Sequence, residues 1–397
     1  MALRTPERRK LISEIEGKRG GRLCLAYITS TRQGHEIPIA DDVLRLMYEH
    51  LEAGAEAAKK GVDLFLHSHG GSGTTPWRIV SLIREYTKNL AILVPDRAFS
   101  AATLIALGAN EIIMHKMGCL GPIDPSVANI FNPQNPQAPG QLAPISVEDV
   151  TAYFKLVSEE LRITHDDELI QALLALTEKI HPLALGNVQR SHNQARMMAR
   201  KLLKLHMPKE AHEPEITKII DTLKSDLFYH GHPINREEAK VDLKLKVSYP
   251  PEDLGSLMRN LYMEYEKALK LNEPLNPLHE MEIRAPAQKV QAPFTTEQIV
   301  QQMQQMAQRG LGLGVPGISE EVLVKLAVAM IPYVSGPKIA DTKLKLEGIL
   351  GAYVESQART DVLNTDLRME RVAMVTPTGP QEGFKVEVLW QRWEQEK

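Results

Sequence analysis

Short, nearly unbroken apolar runs recur along the first third of the chain, each followed by a segment whose apolar positions repeat with helical spacing. Leu23-Cys24-Leu25-Ala26-Tyr27-Ile28-Thr29, Val62-Asp63-Leu64-Phe65-Leu66-His67-Ser68, Ala91-Ile92-Leu93-Val94-Pro95 and Glu111-Ile112-Ile113-Met114 read as buried strands. Between them, Val43, Leu46, Met47, Leu51 and Ala55 form a stripe behind Asp41 and Asp42, which predicts a helix. Helices are also predicted over Trp77 to Tyr86 and over Ala101 to Gly108, the latter with Ala102, Ile105, Ala106 and Ala109 on one face. A short amphipathic helix over residues 4–17, with Leu11, Ile12 and Ile15, precedes the first strand. Strand and helix alternate at βαβ spacing, so a parallel sheet covered by helices is the economical α/β fold, with chemistry expected in loops at the carboxyl ends of strands.

Further on the pattern changes. Ser126 to Ala143 reads as loop, with Pro133, Pro136 and Pro139 among asparagines and glutamines. Helices are predicted over Val147–Leu161, Glu168–Glu178, Gly186–Leu205 and Pro250–Leu271. Pro274, Pro277, Pro286 and Pro293 mark a linker. Beyond it come predicted helices at 296–309, 319–330 and 343–358, then strands at 370–375 and 384–389. The expected organisation is an N-terminal helical extension (1–20), a main domain (21–272), a linker (273–294) and a smaller C-terminal α+β unit (295–397). Trp390 and Trp393 suggest that this last unit docks onto an apolar surface, its own or another subunit's.

Composition narrows the function classes. A net charge of −3 gives no electrostatic reason to expect nucleic acid or an anionic membrane as partner. Basic residues on the 186–205 helix alternate with Val188, Met197, Leu202 and Leu203 and read as a solvated face. The two cysteines, Cys24 and Cys119, form neither a disulfide framework nor a metal site. No stretch reaches the ~20 apolar residues of a spanning helix, and the first residues are charged rather than signal-like. A soluble, cytoplasmic protein without cofactor is expected. His230 and His232 flank a glycine, but without further clustered ligands they read as turn residues rather than a metal site.

Two loops carry candidate chemistry. His69-Gly70-Gly71-Ser72-Gly73 directly follows a strand, and its spacing fits neither a P-loop nor a dinucleotide fingerprint. The glycines serve either a plain turn or a backbone N–H aimed at an oxyanion. Asp96-Arg97-Ala98-Phe99-Ser100-Ala101 passes from strand to helix and puts Ser100 where a hydroxyl can stand clear of the sheet beside the free N–H groups of a helix start. Ser100 is there either an N-cap or a nucleophile.

Leu66-His67-Ser68-His69-Gly70-Gly71, Ser100 at the start of a small-residue helix, and Gly118-Cys119-Leu120-Gly121-Pro122-Ile123-Asp124-Pro125 together resemble the Clp protease and crotonase superfold, and most closely the serine dehydrogenase proteinase family, relatives of signal peptide peptidase A. Glu178 to Val188 and Phe228 to Ala239 fit the same family, so the resemblance covers roughly residues 20–275. It implies a repeated ββα fold with a parallel sheet and helices, a serine peptidase activity, a peptide or protein substrate added beside a strand near Gly71, and homo-oligomeric rings. It also implies Ser100 as nucleophile and the N–H groups of Gly71 and Ala101 as the oxyanion hole.

The general base is left open. The Clp subunit's histidine would fall near Pro122 to Pro125, where none stands; His115 precedes the region and Asp124 is its nearest titratable group. Signal peptide peptidases use a later lysine, often on a neighbouring subunit, which makes Lys179 a candidate; His181 is a second, and Lys155 and His192 remain behind them. On structural grounds alone Lys179 would cap a helix C-terminus, His181 would be a pre-proline turn residue and Asp221 a solvated helix residue. The alternatives to hydrolysis are a scaffold or binding module on the same fold and acyl-CoA chemistry, for which no carboxylates stand in register.

Overall fold

The structure, a computed structural model, describes residues 5–123, 126–127, 129–135, 142–223, 232–276, 344–376 and 379–396. It is a mixed α/β protein with a large mixed sheet, and the chain divides into two compact units. The first comprises residues 1–275, 348–365 and 391–397 and holds the candidate site; the second comprises 276–347 and 366–390.

Helix α1 (Thr5–Lys18) leads into β1 (Leu23–Thr29), the small hairpin β2 (Thr31–Arg32) and β3 (His35–Glu36), and helices α2 (Val43–Ala53) and α3 (Ala55–Lys60). Then follow β4 (Val62–His67), α4 (Thr75–Tyr86), β5 (Leu90–Val94), β6 (Arg97–Ala98), α5 (Ala101–Leu107), β7 (Glu111–Met114) and β8 (Cys119–Leu120). β1, β4, β5 and β7 pair in parallel, as the alternating pattern predicts.

Why those strands read as continuous apolar runs is clear from the core. Leu23, Leu25 and Tyr27 of β1 enter one hydrophobic cluster while Cys24, Ala26 and Ile28 enter the other. Helices cover both faces, so alternation has no polar side to show. The first cluster includes side chains of α2, α4 and α5; the second lies under α1 and the later helix α11 (Glu252–Leu269), with Met258, Leu261 and Tyr265 buried.

Short strands β9 (Ser126–Val127) and β10 (Ile145–Ser146) pair with each other, so part of the expected 126–143 loop is strand. Helix α6 (Val147–Lys155) continues as one π-turn to Glu160, and α7 (Asp166–Thr177), α8 (Pro182–Lys204) and α9 (Glu213–Asp221) follow. Strand β11 (Ile234–Asn235), helix α10 (Arg236–Val241) and β12 (Val247–Ser248) form the late strand-helix unit; β11 pairs with β8, and β12 with β7. His232 Nε2–H donates to Glu238 Oε1 at 3.0 Å within this turn, and His230 lies outside the described residues. Among the described residues no His/Cys/Asp/Glu group has metal-binding geometry, and no helix is long and apolar enough to cross a membrane.

One expectation fails at the sheet edge. Residues 343–358 were expected to be helical, yet Leu344–Glu355 is strand β13, paired antiparallel with β1 through Tyr27↔Val354 and Ile28↔Tyr353. Its two glycines, Gly348 at φ 64° and Gly351 against Ile37, disfavour a helix, and pairing with β1 buries Ala352, Tyr353 and Val354. Strands β14 (Thr360–Thr376) and β15 (Gly379–Gln395) include the expected strands at 370–375 and 384–389. The part of β15 in the first unit includes Trp393, which donates its indole N–H to Asp42 at 2.7 Å. The linker beyond 276 and the expected helices at 296–309 and 319–330 lie outside the described residues.

Candidate active site

Ser100 stands between β6 and α5 with φ 51° and ψ −113°, a conformation that L-residues rarely adopt. Such backbone costs on the order of 1–3 kcal/mol and persists only where the surroundings hold it. Here the holding groups can be named. The Ser68 N–H donates to the Arg97 carbonyl (3.1 Å), and the Phe99 N–H donates to the Ser68 carbonyl (3.0 Å). Just beyond the serine, the Ala102 N–H donates to the Phe99 carbonyl at 2.9 Å. Thr103, fully buried, has its hydroxyl 2.7 Å from the Ala98 carbonyl and accepts the Gly121 N–H at 3.1 Å, which ties the 118–121 segment beneath the serine turn.

The glycine loop comes against this turn. A Cβ on Gly70, whose φ is 106°, would lie 2.7 Å from the Ser100 Cβ and 3.0 Å from the Ala101 nitrogen. A Cβ on Gly71 would collide with the Ile39 backbone. Ile39 bridges the loop by donating to the Gly70 carbonyl (2.7 Å) and accepting from Ser72 N–H (2.9 Å). That bridge leaves the Gly71 N–H outside it. Among the described residues neither the Gly71 nor the Ala101 N–H has a hydrogen-bond partner, and neither has the Ser100 hydroxyl, which is half-buried.

Below the two loops lies a polar cluster that sequence reading did not single out. Asp96 Oδ2 accepts from Arg97 Nε (2.8 Å) and from the Tyr262 hydroxyl (3.1 Å), and stands 3.6 Å from His67 Nδ1. The Asp96 carbonyl accepts the Cys119 N–H at 2.7 Å. Burial pushes His67 down to about 3, against the pull of Asp96, so its ring is neutral. Burial and then Asp96 push the Cys119 thiol up to about 11, which makes it a poor nucleophile. His69 stacks on Phe99 with ring centroids 6.0 Å apart, and partial burial followed by Arg97 keeps it below the usual histidine value. The one signal in sequence was a polar pair, His67 and Asp96, each directly after an apolar stretch, Leu64-Phe65-Leu66 and Ala91-Ile92-Leu93-Val94-Pro95.

The structure thus brings Ser100 and Ala101 against Gly70, the residue before Gly71, and treats the expected bases differently. His181 is the N-cap of α8: its Nδ1 accepts the Leu183 N–H at 3.1 Å, and its ring stacks on Phe131 at 4.9 Å. Lys179 is exposed in the turn between α7 and α8, and among the described residues its ammonium has no partner. Neither makes a hydrogen bond or ring contact with Ser100. Asp221 pairs with Arg196 over 3.1 Å, as a helix-surface residue does, and Asp124 lies outside the described residues.

A serine on a strained strand-to-helix turn, abutting a Gly-Gly loop that has a spare amide, is the arrangement to set beside known proteins. Residues 2–181 match the model of the ClpP-like SDH-type serine proteinase family. This segment of the chain belongs to that family. The match to the SDH-type family takes in both loops and extends to His181. Among curated proteins, an uncharacterized protein of Methanocaldococcus jannaschii is 27% identical over 255 residues, covering 63% of this chain and 77% of the relative. A second uncharacterized protein of the same organism is 29% identical over 130 residues, covering 32% of this chain and 44% of its own length.

Proposed function

We propose that this chain is a serine peptidase in which Ser100 is the nucleophile and the Gly71 and Ala101 amides form the oxyanion hole. The observation that carries the reading is the conformation of Ser100, at φ 51° with an unpartnered hydroxyl, against a glycine loop whose Gly71 N–H is also unpartnered. Strain of this kind has a use when it aims a hydroxyl outward. Membership of residues 2–181 in the SDH-type family supports the same assignment.

The chemistry is acyl transfer. Ser100 Oγ attacks the scissile carbonyl carbon as its proton passes to a base, and the carbonyl electrons move onto oxygen. Two N–H groups stabilise that oxyanion, each worth about 3 kcal/mol of barrier. The tetrahedral intermediate collapses, the C–N bond breaks, and the amine leaves with the proton. Water then repeats the sequence on the acyl-serine and frees the carboxylate product. The reaction so written uses no cofactor.

Lys179 or His181 is the proposed base. Both are exposed in the single chain, and a lysine serves only once burial has lowered its affinity for protons. Assembly into homo-oligomers, which the family implies, is the step that would enclose one of them. An extended peptide or protein segment is the proposed substrate, laid beside the Gly71 to Ser72 strand edge by main-chain hydrogen bonds, and a cytoplasmic setting suits the unpaired thiols of Cys24 and Cys119. A second reading, a non-hydrolytic scaffold on the same fold, is favoured by one observation: among the described residues no base contacts the Ser100 hydroxyl.

Hydrolysis of a quenched fluorescent peptide library by the purified chain and by Ser100→Ala separates the two. A peptidase turns over at least one sequence class, and Ser100→Ala loses about a thousandfold or more of that rate. A scaffold turns over none, or does so equally with and without the serine.

A further inference from the structure

The two loops of the site share one hidden support. Thr29 is the last residue of β1, and Ser68 directly follows β4. The parallel register Ile28↔His67 makes them the next pair along the sheet, at its carboxyl edge. Both are fully buried. The Thr29 hydroxyl donates to Ser68 Oγ at 2.7 Å, and Ser68 Oγ accepts the Gly70 N–H at 3.0 Å. The main chain of the same serine bonds Arg97 and Phe99, on the approach to Ser100.

We infer that Ser68, oriented by Thr29, is a positioning residue that sets the distance between the oxyanion donor at Gly71 and the nucleophile Ser100. The inference rests on the peptidase reading and adds to it a residue that touches neither substrate nor reacting atoms. Its physical ground is directional. Gly70 has φ 106° and Gly71 φ 152°, so the loop lacks the side-chain constraints that fix ordinary backbone. Its register must come from hydrogen bonds. Gly70 has three: its carbonyl accepts from the Ile39 N–H at 2.7 Å and, at a long 3.5 Å, from the Ser68 hydroxyl, and its N–H donates to Ser68 Oγ. With both Ser68 Oγ contacts removed, the peptide joining Gly70 and Gly71 can rock about the Ile39 bridge, and it is this peptide that carries the Gly71 N–H. A donor displaced by a fraction of an ångström loses most of its value in the tetrahedral intermediate and little in substrate binding.

The side-chain and main-chain roles separate by mutation. Ser68→Ala removes the acceptor and keeps both main-chain bonds to the serine turn. Thr29→Val keeps the shape and removes only the donor that orients Ser68. Ser68→Ala is expected to lower kcat by about 10- to 100-fold with KM within about twofold, and to slow phosphonylation of Ser100 in proportion. Thr29→Val should do the same to a smaller degree. Amide exchange of Gly70 in the full chain, followed over residues 69–73, should be slow in the wild type and faster in Ser68→Ala, while exchange in β4 and β5 is unchanged.

A wild type that neither turns over peptide nor labels at Ser100 contradicts the peptidase reading itself; the exchange arm still decides whether Ser68 holds the loop. A wild type that labels, beside a Ser68→Ala variant with wild-type kcat, overturns the positioning role alone. So does a variant whose loss appears in KM rather than kcat, or a Gly70 amide that exchanges equally fast in both proteins.

Discussion

A Cβ placed on Gly70 would lie 2.7 Å from the Cβ of Ser100 and 2.8 Å from the Phe99 carbonyl oxygen. No real pair of carbon atoms sits so close without something moving, and the neighbours here are backbone or the serine's own stem. Gly70→Ala is therefore expected to cost about 2–4 kcal/mol of folding stability, from the clash and the unfavourable φ of 106° together. It should also abolish reactivity at residue 100. Denaturant unfolding monitored beside a serine-directed probe checks both; a stable, reactive variant would mean the two loops are not in contact.

The strain at Ser100 makes a second prediction, of opposite sign. Glycine accepts φ 51° at little steric cost, whereas alanine keeps the Cβ and hence the strain. Ser100→Gly should be more stable than Ser100→Ala by about 1 kcal/mol after the entropy of the unfolded glycine is counted. Both should be inactive. Thermal melts of the two variants, side by side, give the answer, and equal melting temperatures would refute a strained serine.

Helix α1 is pinned by a buried charge. Arg8 Nε donates to Glu355 Oε2 at 2.7 Å, and the Tyr265 and Thr360 hydroxyls each donate to the same carboxylate at 2.7 Å. Neither Arg8 nor Glu355 is exposed at all. Glu355→Gln takes from the buried guanidinium its nearer carboxylate and leaves it Glu396 at 3.7 Å, so it should destabilise by about 3 kcal/mol, whereas Arg8→Met combined with Glu355→Gln should lose much less than the sum of the single changes. A double-mutant cycle on unfolding free energies measures the coupling.

His67 gives a pH prediction. Its folded pKa is about 3, pushed down by burial, and its unfolded value is the ordinary 6.5, so between these limits the unfolded chain binds a proton that the native state refuses. Stability from this group is complete above pH 6.5 and declines as pH falls, by about 1.4 kcal/mol per pH unit. His35, pushed down to about 4 by burial and by Arg32, acts in the same direction. Replacing His67 with Gln should flatten the stability profile between pH 6.5 and 5 by about one proton; an unchanged slope would mean His67 is protonated in the native protein.

How much of this was readable in sequence follows from what sequence patterns encode. β1, β4, β5 and β7 are buried on both faces and separated by helices, so their apolar runs stand out, and Ser100 falls at a strand-to-helix junction in any reading of them. Leu344–Glu355 did not stand out: its leucines and glutamates suit a helix, and only pairing with β1, more than three hundred residues earlier, makes it a strand. The backbone angle at Ser100 and the Thr29 to Ser68 bond are likewise products of register rather than composition. For the base, type and spacing offered several residues, and the single chain keeps Lys179 and His181 out of contact with the serine.

The central claim is that Ser100 is a nucleophile served by two backbone amides, and a fluorophosphonate probe tests it most directly. Intact chain treated with the probe should carry one adduct, mapped by peptide mass spectrometry to Ser100, and Ser100→Ala should carry none. Absence of an adduct on the folded wild-type protein, or an adduct at another residue that survives in Ser100→Ala, would contradict the account.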